Sequence, residues 1–450
     1  MFQIPEKKRE YWNHKSATFL DEIKVEMIHS KDQTRPVDDD TIVLRPASIE
    51  SLYEYSTDCD DHIVGISYIN EEVKYHVNND LCKEVEKCVN DFYKIKIIKN
   101  KISKDSLRNI VLSWLFETKI KEHSSIEITQ YIEEELYKRI KEYVVYFPLP
   151  YLEANKTYLF SKDISIGKLP NVNLRSLLTS FKEEIYHFNT TFIYTKLEGE
   201  RKAVVDMAYE RCSLAIDMIK SCYLTFYFDF PKICLDIANN VKKMPINRCF
   251  IQELSSDNSL HVNEDINIHI INLDANFIRK LEDHCIKEYS MFFDRIYNEE
   301  NTELEKVLLS AIRTYSLILS SSNYYDKIVD LCSIMDSLIL MDEKESIKQA
   351  LKKYVPFIIT DSSINRRIIS ENIEKMYDIR SKYIHHRNTE KVITKKDIFD
   401  YSVIVFNLIT QLVILTNIKK FKTMKDIIQV IDEKLKSTIE NISFEHELSQ

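Results

Sequence analysis

The chain has 450 residues, 44% of them hydrophobic, so it is long enough for two or three domains with buried cores. Its formal net charge is −9, so no overall positive field draws it to nucleic acid or to an acidic membrane. Only three glycines occur, Gly65, Gly167 and Gly199. Rossmann and P-loop sites need glycine-rich turns around phosphates, so nucleotide-dependent dehydrogenases, P-loop ATPases and kinases with a glycine-rich loop are excluded.

Nine cysteines are scattered along the chain, and no two of them have the CxxC spacing of a zinc site or a redox pair. Their odd number and their place in apolar runs indicate reduced, buried thiols in a cytoplasmic protein. The N-terminal sequence MFQIPEKKREYWNHK lacks the apolar core of a signal peptide. The longest apolar run, residues 403–415, is too short to cross a bilayer, so we predict a buried helix and no membrane contact.

The first part of the chain changes from turn signals to helical patterns. Residues 1–80 are mixed and rich in turns, with acidic patches at 38–40 and 58–61. Carboxylates packed side by side in this way are typical of a solvated loop. Residues 81–142 contain the runs SLRNIVLSWLF and EEELYKRIKEY, which have helical spacing. We therefore predict a mixed, α-rich N-terminal region over residues 1–142.

The middle of the chain combines two kinds of pattern. Residues 144–170 alternate apolar and polar side chains between prolines, which indicates strands and turns. Helical and strand-like runs then follow one another, which predicts a mixed α/β domain over residues 143–300 with a sensing or regulatory role. The helical runs are 174–188, 201–225 and 275–297, and the strand-like runs are 247–253 and 265–272.

Beyond the polar stretch NEENTE, every predicted element is a helix. Apolar side chains recur at steps of three and four over residues 328–339, the stripe of a helix that faces a core. Another helix is predicted over 362–385, and Thr394 with Asp397 can form a capping box for the next one. The fold predicted for residues 301–450 is an antiparallel helical bundle.

The sequence KMYDIRSKYIHHRN holds the candidate catalytic group. Arg380 is followed at once by Ser381, and by His385 at the predicted end of a helix. Ser381 and His385 are four residues apart and share a helix face, and the long side chain of Arg380 can reach over the turn. An accessible histidine suits general acid or base work, and an arginine can hold a phosphate by two hydrogen bonds. The pattern favours phosphodiester cleavage in which histidine moves the proton of a ribose 2′-hydroxyl and arginine stabilises charge on phosphorus.

The same arginine-histidine spacing occurs at Arg279 and His284, so spacing alone is not specific. That pair lies within a predicted helix of ordinary surface pattern, and Arg279 precedes the cation Lys280. Residues 379–396 instead carry six basic residues against one acid, Glu390, and so form a local patch suited to RNA. The basic residues are Arg380, Lys382, Arg387, Lys391, Lys395 and Lys396.

Residues 304–420 resemble the Apea-like branch of HEPN domains, through the runs LEKVLLSAIRTYSLIL, YYDKIVDLCSIMDSLIL and ENIEKMYDIRSKYIHH. The hallmark of that branch is an RxxxxH motif after a tyrosine-aspartate-hydrophobic triplet, which residues 377–381 and His385 match. Asp336 falls where the family carries an acidic residue on an earlier core helix. The chain departs from the pattern twice, because His386 stands where glycine is common and Ser381 where many active members carry asparagine.

The resemblance implies a bundle that dimerises and places two RxxxxH motifs across one cleft, often as a metal-independent ribonuclease of toxin or phage-defence systems. It implies catalytic roles for Arg380 and His385 and a supporting hydrogen bond from Ser381. Asp336 would either orient Arg380 or His385 or be an ordinary polar residue at the edge of the core. His386 would either contact phosphate or lie in a solvated loop.

We therefore expect a cytoplasmic endoribonuclease that acts as a growth-arresting effector of bacterial anti-phage defence. It would be a homodimer that cuts RNA without a metal or cofactor, released by a phage or host trigger. The alternative left open by the sequence is a degenerate HEPN bundle that only dimerises, while the rest of the chain binds a phage or host protein or nucleic acid.

Overall fold

The structure is a computed structural model in which the chain forms two compact units. One unit comprises residues 1–145 and 196–208, and the other comprises residues 146–195 and 209–450. The described part of the chain is mainly helical and contains small sheets, while the division into three domains remains a prediction. The structure describes residues 3–27, 53–57, 63–70, 73–121, 126–149, 152–168, 191–224, 247–252, 260–265, 271–273, 275–283, 285–298, 300–318, 323–339, 346–386, 393–418 and 421–435.

The first unit packs helices beside an antiparallel sheet. Asn78 begins α2 as an N-cap, because its side chain accepts a hydrogen bond from the backbone N–H of Leu81 at 2.9 Å. The rings of Trp12 in α1 and Phe92 in α2 lie 6.2 Å apart in the fully buried core. The sheet has the order β1-β4-β3-β2. The elements are α1 (Glu6–Glu22), α2 (Asn79–Tyr93), α3 (Lys96–Lys99), α4 (Lys104–Lys121), α5 (Ile128–Arg139), β1 (Lys24–Met27), β2 (Tyr53–Thr57), β3 (Ile63–Asn70) and β4 (Val73–Val77).

The middle of the chain contains strands within the predicted stretches 144–170 and 247–253, and one long helix. Of the strand predicted over 265–272, only residue 265, in β11, and residues 271–272, in β12, belong to the described residues. A sheet of order β5-β9-β8-β7 is antiparallel at its β7–β8 and β8–β9 pairs, β10 pairs with β11, and β6 lies parallel to β12. The predicted helix at 174–188 and the acidic patches at 38–40 and 58–61 lie outside the described residues. The elements are β5 (Lys141–Pro148), β6 (Leu152–Ala154), β7 (Tyr158–Leu159), β8 (Ile164–Lys168), β9 (Thr191–Gly199), α6 (Arg201–Leu224), β10 (Asn247–Gln252), β11 (Leu260–Asp265) and β12 (Ile271–Leu273).

From residue 275 onward every element that the structure describes is helical. The single helix predicted over 275–297 is wrong, because the chain turns at Cys285, whose φ of 64° is left-handed and interrupts a helix. The capping box of Thr394 and Asp397 is confirmed. The helices are α7 (Ala275–Asp283), α8 (Ile286–Asn298), α9 (Glu303–Ile318), α10 (Tyr324–Ile339), α11 (Ile347–Ile359), α12 (Ser363–His386), α13 (Lys395–Asn417) and α14 over residues 424–435.

Helix α13 is the centre of these packed helices and touches α8, α9, α10, α11 and α12. Its buried side chains include Thr410, which lies 3.1 Å from the hydroxyl of Tyr289. The helix has 23 residues, and an 18-residue window of it has a mean hydropathy of 1.9, so by length and composition alone it could cross a membrane. The predicted run 403–415 is only the apolar part of this longer helix. In this structure 61% of its apolar window is buried, which confirms a core helix.

Helix α12 is fixed against α11 by a hydrogen bond beside a proline of α11 and by an ion pair. Pro356 lies inside α11 and has no N–H to give to the carbonyl of Lys352. The hydroxyl of Ser370 in α12 donates to that carbonyl oxygen instead, at 3.0 Å. The Lys348 ammonium pairs with Asp378 at 2.8 Å, closer to the end of α12. These contacts fix the position of the last turns of α12, which carry the candidate site.

Candidate functional site

Arg380 lies in α12 and is held by α10. Its Nη1 is 3.3 Å from Oδ2 of Asp336, and its Cζ lies 5.6 Å from the ring centroid of Tyr377. The Tyr377 hydroxyl donates to the other oxygen of Asp336 and to the carbonyl oxygen of Cys332 at 3.3 Å. The side chain of Arg380 is 28% exposed and that of Asp336 is 14% exposed. The arginine is therefore anchored at the edge of the core, with part of its side chain open to solvent.

The interior beneath this ion pair raises the pKa values of the groups that it buries. Burial raises the pKa of the Cys332 thiol to about 12, and burial raises the pKa of Tyr401 well above its ordinary value. Burial also raises the pKa of Asp336, although the charge of Arg380 acts in the opposite direction. Within the described residues, the buried Nε of Arg380 has no hydrogen-bond partner. Arg380 thus keeps one buried N–H donor that does not bond to the carboxylate of Asp336.

Ser381 and His385 lie on a different face of α12 from Arg380. Both are exposed and are four residues apart, so they share one side of the helix. The five-residue step from Arg380 to His385 corresponds to about 140° around the helix axis. The ion pair with Asp336 turns Arg380 toward α10 rather than over the turn toward His385. His386 ends α12, and its side chain lies outside the described residues.

The predicted basic patch is described only in part. Lys382 and Lys396 are exposed and Lys395 is half-buried, whereas Arg387 and Lys391 lie outside the described residues. Lys327 of α10 adds a cation that the sequence analysis missed. It is 3% exposed, and its pKa is lowered first by burial and then by the charge of Lys395. The sequence signal that could have identified Lys327 as a buried lysine is its position on the apolar stripe of α10.

The end of α12 meets the start of α10 through aromatic rings. Tyr383 stacks on Tyr325, with ring centroids 4.9 Å apart and planes at 19°. Its hydroxyl donates to Oδ1 of Asp326 at 3.0 Å. Because Tyr377 contacts residues 332 and 336 while Tyr383 contacts residues 323 and 326, α10 and α12 run in opposite directions. Sequence analysis did not single out this pair, because tyrosine is abundant in the chain.

The second arginine-histidine pair is not assembled in the same way. Arg279 is exposed on α7 and donates to the side-chain oxygen of Asn276 at 3.2 Å, and His284 lies outside the described residues. A contact within its own first turn leaves Arg279 on the surface of α7. Arg279 therefore serves as a matched control for Arg380.

We expect Asp336→Ala to lower the free energy of unfolding by about 1–3 kcal/mol, because it leaves Arg380 and the Tyr377 hydroxyl without their acceptor at the edge of the core. Asp336→Asn keeps an oxygen for Tyr377 and should lose less. Urea unfolding of the full chain measures both. The control is Asp378→Ala, whose more exposed pair with Lys348 is worth at most about 1 kcal/mol. Equal losses at Asp336 and Asp378 would contradict the anchoring role.

No group of three or more His, Cys, Asp or Glu side chains suited to a metal ion occurs in the described stretches of the chain. Comparison with models of known protein families, with curated proteins and with solved structures gives no match.

Proposed function

We propose that the chain is a metal-independent RNA endonuclease of the HEPN type that arrests growth in bacterial anti-phage defence. The observation that carries the proposal is the exposure of His385 in the last turn of α12, with Ser381 on the same face and Arg380 anchored earlier in the helix. A general acid or base must reach the proton that it moves, and an exposed imidazole meets that condition.

The proposed reaction uses the substrate's own nucleophile. The ribose 2′-oxygen attacks phosphorus, the bond from phosphorus to the 5′-oxygen breaks, and a 2′,3′-cyclic phosphate and a 5′-hydroxyl result. One imidazole takes the proton of the 2′-hydroxyl, and a second gives a proton to the leaving 5′-oxygen. Arg380 stabilises the charge that develops on the phosphoryl oxygens, and Ser381 donates a supporting hydrogen bond.

A homodimer supplies the second imidazole. Arg380 and His385 point about 140° apart on one helix, so a single copy does not turn both toward one phosphate. Two copies of the C-terminal helices facing each other would place Arg380 of one copy beside His385 of the other. The apolar run 403–415 would not supply the surface for this pairing, because most of its side chains are already buried inside one chain.

The remainder of the chain is proposed to sense infection. Residues 1–300 would bind the phage or host trigger and control the C-terminal helices, while contributing no catalytic group. Lys382, Lys395 and Lys396, with Arg387 and Lys391, would bind the phosphates of RNA.

The ion pair between Arg380 and Asp336 favours a second candidate function, that of a non-catalytic interaction module. An arginine already paired with Asp336 and packed over Tyr377 is also what a degenerate site would keep for stability. In that case the C-terminal helices would only dimerise, and the protein would be an interaction module for a phage or host protein or nucleic acid.

Incubation of the purified full-length protein with total RNA, followed by mapping of cut ends, separates the two functions. The nuclease proposal predicts discrete new ends and growth arrest when the chain is expressed in cells challenged with phage. Intact RNA, together with growth arrest that is unchanged in a His385→Ala variant, would favour the interaction module.

A further inference from the structure

A stacked pair of tyrosines lies at the end of the helix that carries His385. Tyr325 and Tyr383 are both partly exposed, with ring centroids 4.9 Å apart and an interplanar angle of 19°. Tyr383 is two residues before His385, so the two side chains belong to the same last turn of α12. The neighbouring Tyr324 is 38% exposed, which makes this end of α10 rich in accessible aromatic surface.

Hydrogen bonds hold the pair in one orientation. The hydroxyl of Tyr383 donates to Asp326 at 3.0 Å and accepts from the side-chain nitrogen of Asn323 at 3.5 Å. The side-chain oxygen of Asn323 accepts from the backbone N–H of Tyr325 at 2.9 Å. A ring fixed in this way loses little conformational freedom when another flat group stacks on it.

Two accessible lysines lie near the pair, and a carboxylate lies at its rim. Lys382 precedes Tyr383 and is exposed. Lys327 follows Tyr325 by two residues and is only 3% exposed, but it lies close enough to the half-buried Lys395 for their charges to interact. Lys382 and Lys395 favour a polyanion near the rings, whereas the exposed Asp326 beside the Tyr383 hydroxyl disfavours a phosphate on the rings themselves. The arrangement fits a chain whose flat bases meet the rings while its phosphates lie near these two lysines.

We propose that Tyr325 and Tyr383 form a stacking platform for one unpaired nucleobase of single-stranded RNA. The platform binds the substrate at the end of α12, beside the turn that carries His385. This inference deepens the proposed function and rests on it for the identity of the polyanion. Stacking on a tyrosine face tolerates any base, so the platform positions the strand without reading its sequence.

The test measures binding of a short fluorescent oligoadenylate to the full-length protein. A His385→Ala background keeps the protein from cutting the RNA, and excess EDTA inhibits contaminating metal-dependent nucleases. Tyr325→Ala and Tyr383→Ala should each raise Kd by roughly 5- to 150-fold, the range found for loss of one stacked base. Tyr325→Phe and Tyr383→Phe keep the ring and should bind almost as the parent does. Tyr137→Ala removes a tyrosine that is 81% exposed on α5 and should leave Kd unchanged.

An oligoadenylate with abasic positions tests the platform without changing the fold. The parent should bind the abasic strand more weakly than the intact one, and the two alanine variants should not distinguish the strands. Equal binding of both strands by the parent, parental affinity in the alanine variants, or no RNA binding at all would overturn the platform.

The same measurements separate this inference from the nuclease proposal. Tyrosine-dependent binding, together with an unsubstituted protein that leaves RNA intact, would defeat the nuclease proposal alone. RNA cleavage together with parental binding in the alanine variants would defeat the platform alone.

Discussion

We expect His385→Ala to lower the rate of RNA cleavage by on the order of 10²-fold or more, because it removes the group that moves protons at the 2′- and 5′-oxygens. The side chain is exposed at the last turn of α12, so its loss should leave the fold and the proposed homodimer unchanged. Initial rates on one labelled RNA, with sedimentation of both proteins at the same concentration, measure the two parts of this expectation.

Arg380→Lys provides a companion variant and Arg279→Ala a control. Lysine keeps the charge but loses the planar fork that binds two phosphoryl oxygens and packs over Tyr377, so cleavage should also fall substantially. Arg279 is exposed on α7 and donates to Asn276 within its own first turn, so its replacement should leave the rate unchanged. Equal losses at Arg279 and His385 would contradict the assignment of the site.

The largest loss of stability is expected for Glu305→Ala. Glu305 in α9 is 3% exposed and forms an ion pair with Arg295 of α8, whose side chain is 12% exposed. Its other oxygen accepts from the backbone N–H of Thr302 at 2.7 Å, which caps the start of α9. Removing the carboxylate leaves a nearly buried guanidinium without its counter-charge, so the free energy of unfolding should fall by about 3–5 kcal/mol.

Urea unfolding of the full chain tests this expectation, with Glu303→Ala as the matched control. Glu303 begins the same helix but is exposed, so its loss should change the free energy of unfolding by less than about 1 kcal/mol. A similar small change at both positions would mean that the buried pair does not hold α8 and α9 together.

Helices with a complete local signal could be predicted from sequence. The helix predicted over 362–385 is observed as Ser363–His386, and the one over 201–225 as Arg201–Leu224, because apolar spacing and turn residues mark both ends. The capping box at Thr394 was readable because it depends on two residues three positions apart. A contact between two residues of the same helix can be predicted because both residues lie within a few positions of each other in the sequence.

Features that depend on partners distant in sequence were not predicted. The sheet β1-β4-β3-β2 joins strands of four to eight residues, whose pairing is set by neighbours across the sheet. Asp336, 44 positions before Arg380, was expected to orient Arg380 or His385, but residue spacing did not show that the ion pair turns Arg380 away from His385. The stacking of Tyr325 on Tyr383 likewise depends on the crossing of two helices.

The most direct test of the proposed mechanism is the chemistry of the cut ends in excess EDTA. A defined single-stranded RNA is incubated with the purified full-length protein, and the termini are analysed for phosphate and hydroxyl groups. Because the 2′-hydroxyl is the nucleophile and histidine moves the protons, we predict undiminished cleavage that leaves a 2′,3′-cyclic phosphate and a 5′-hydroxyl. Cleavage that stops in EDTA, or that leaves a 3′-hydroxyl and a 5′-phosphate, would contradict the role assigned to Arg380 and His385.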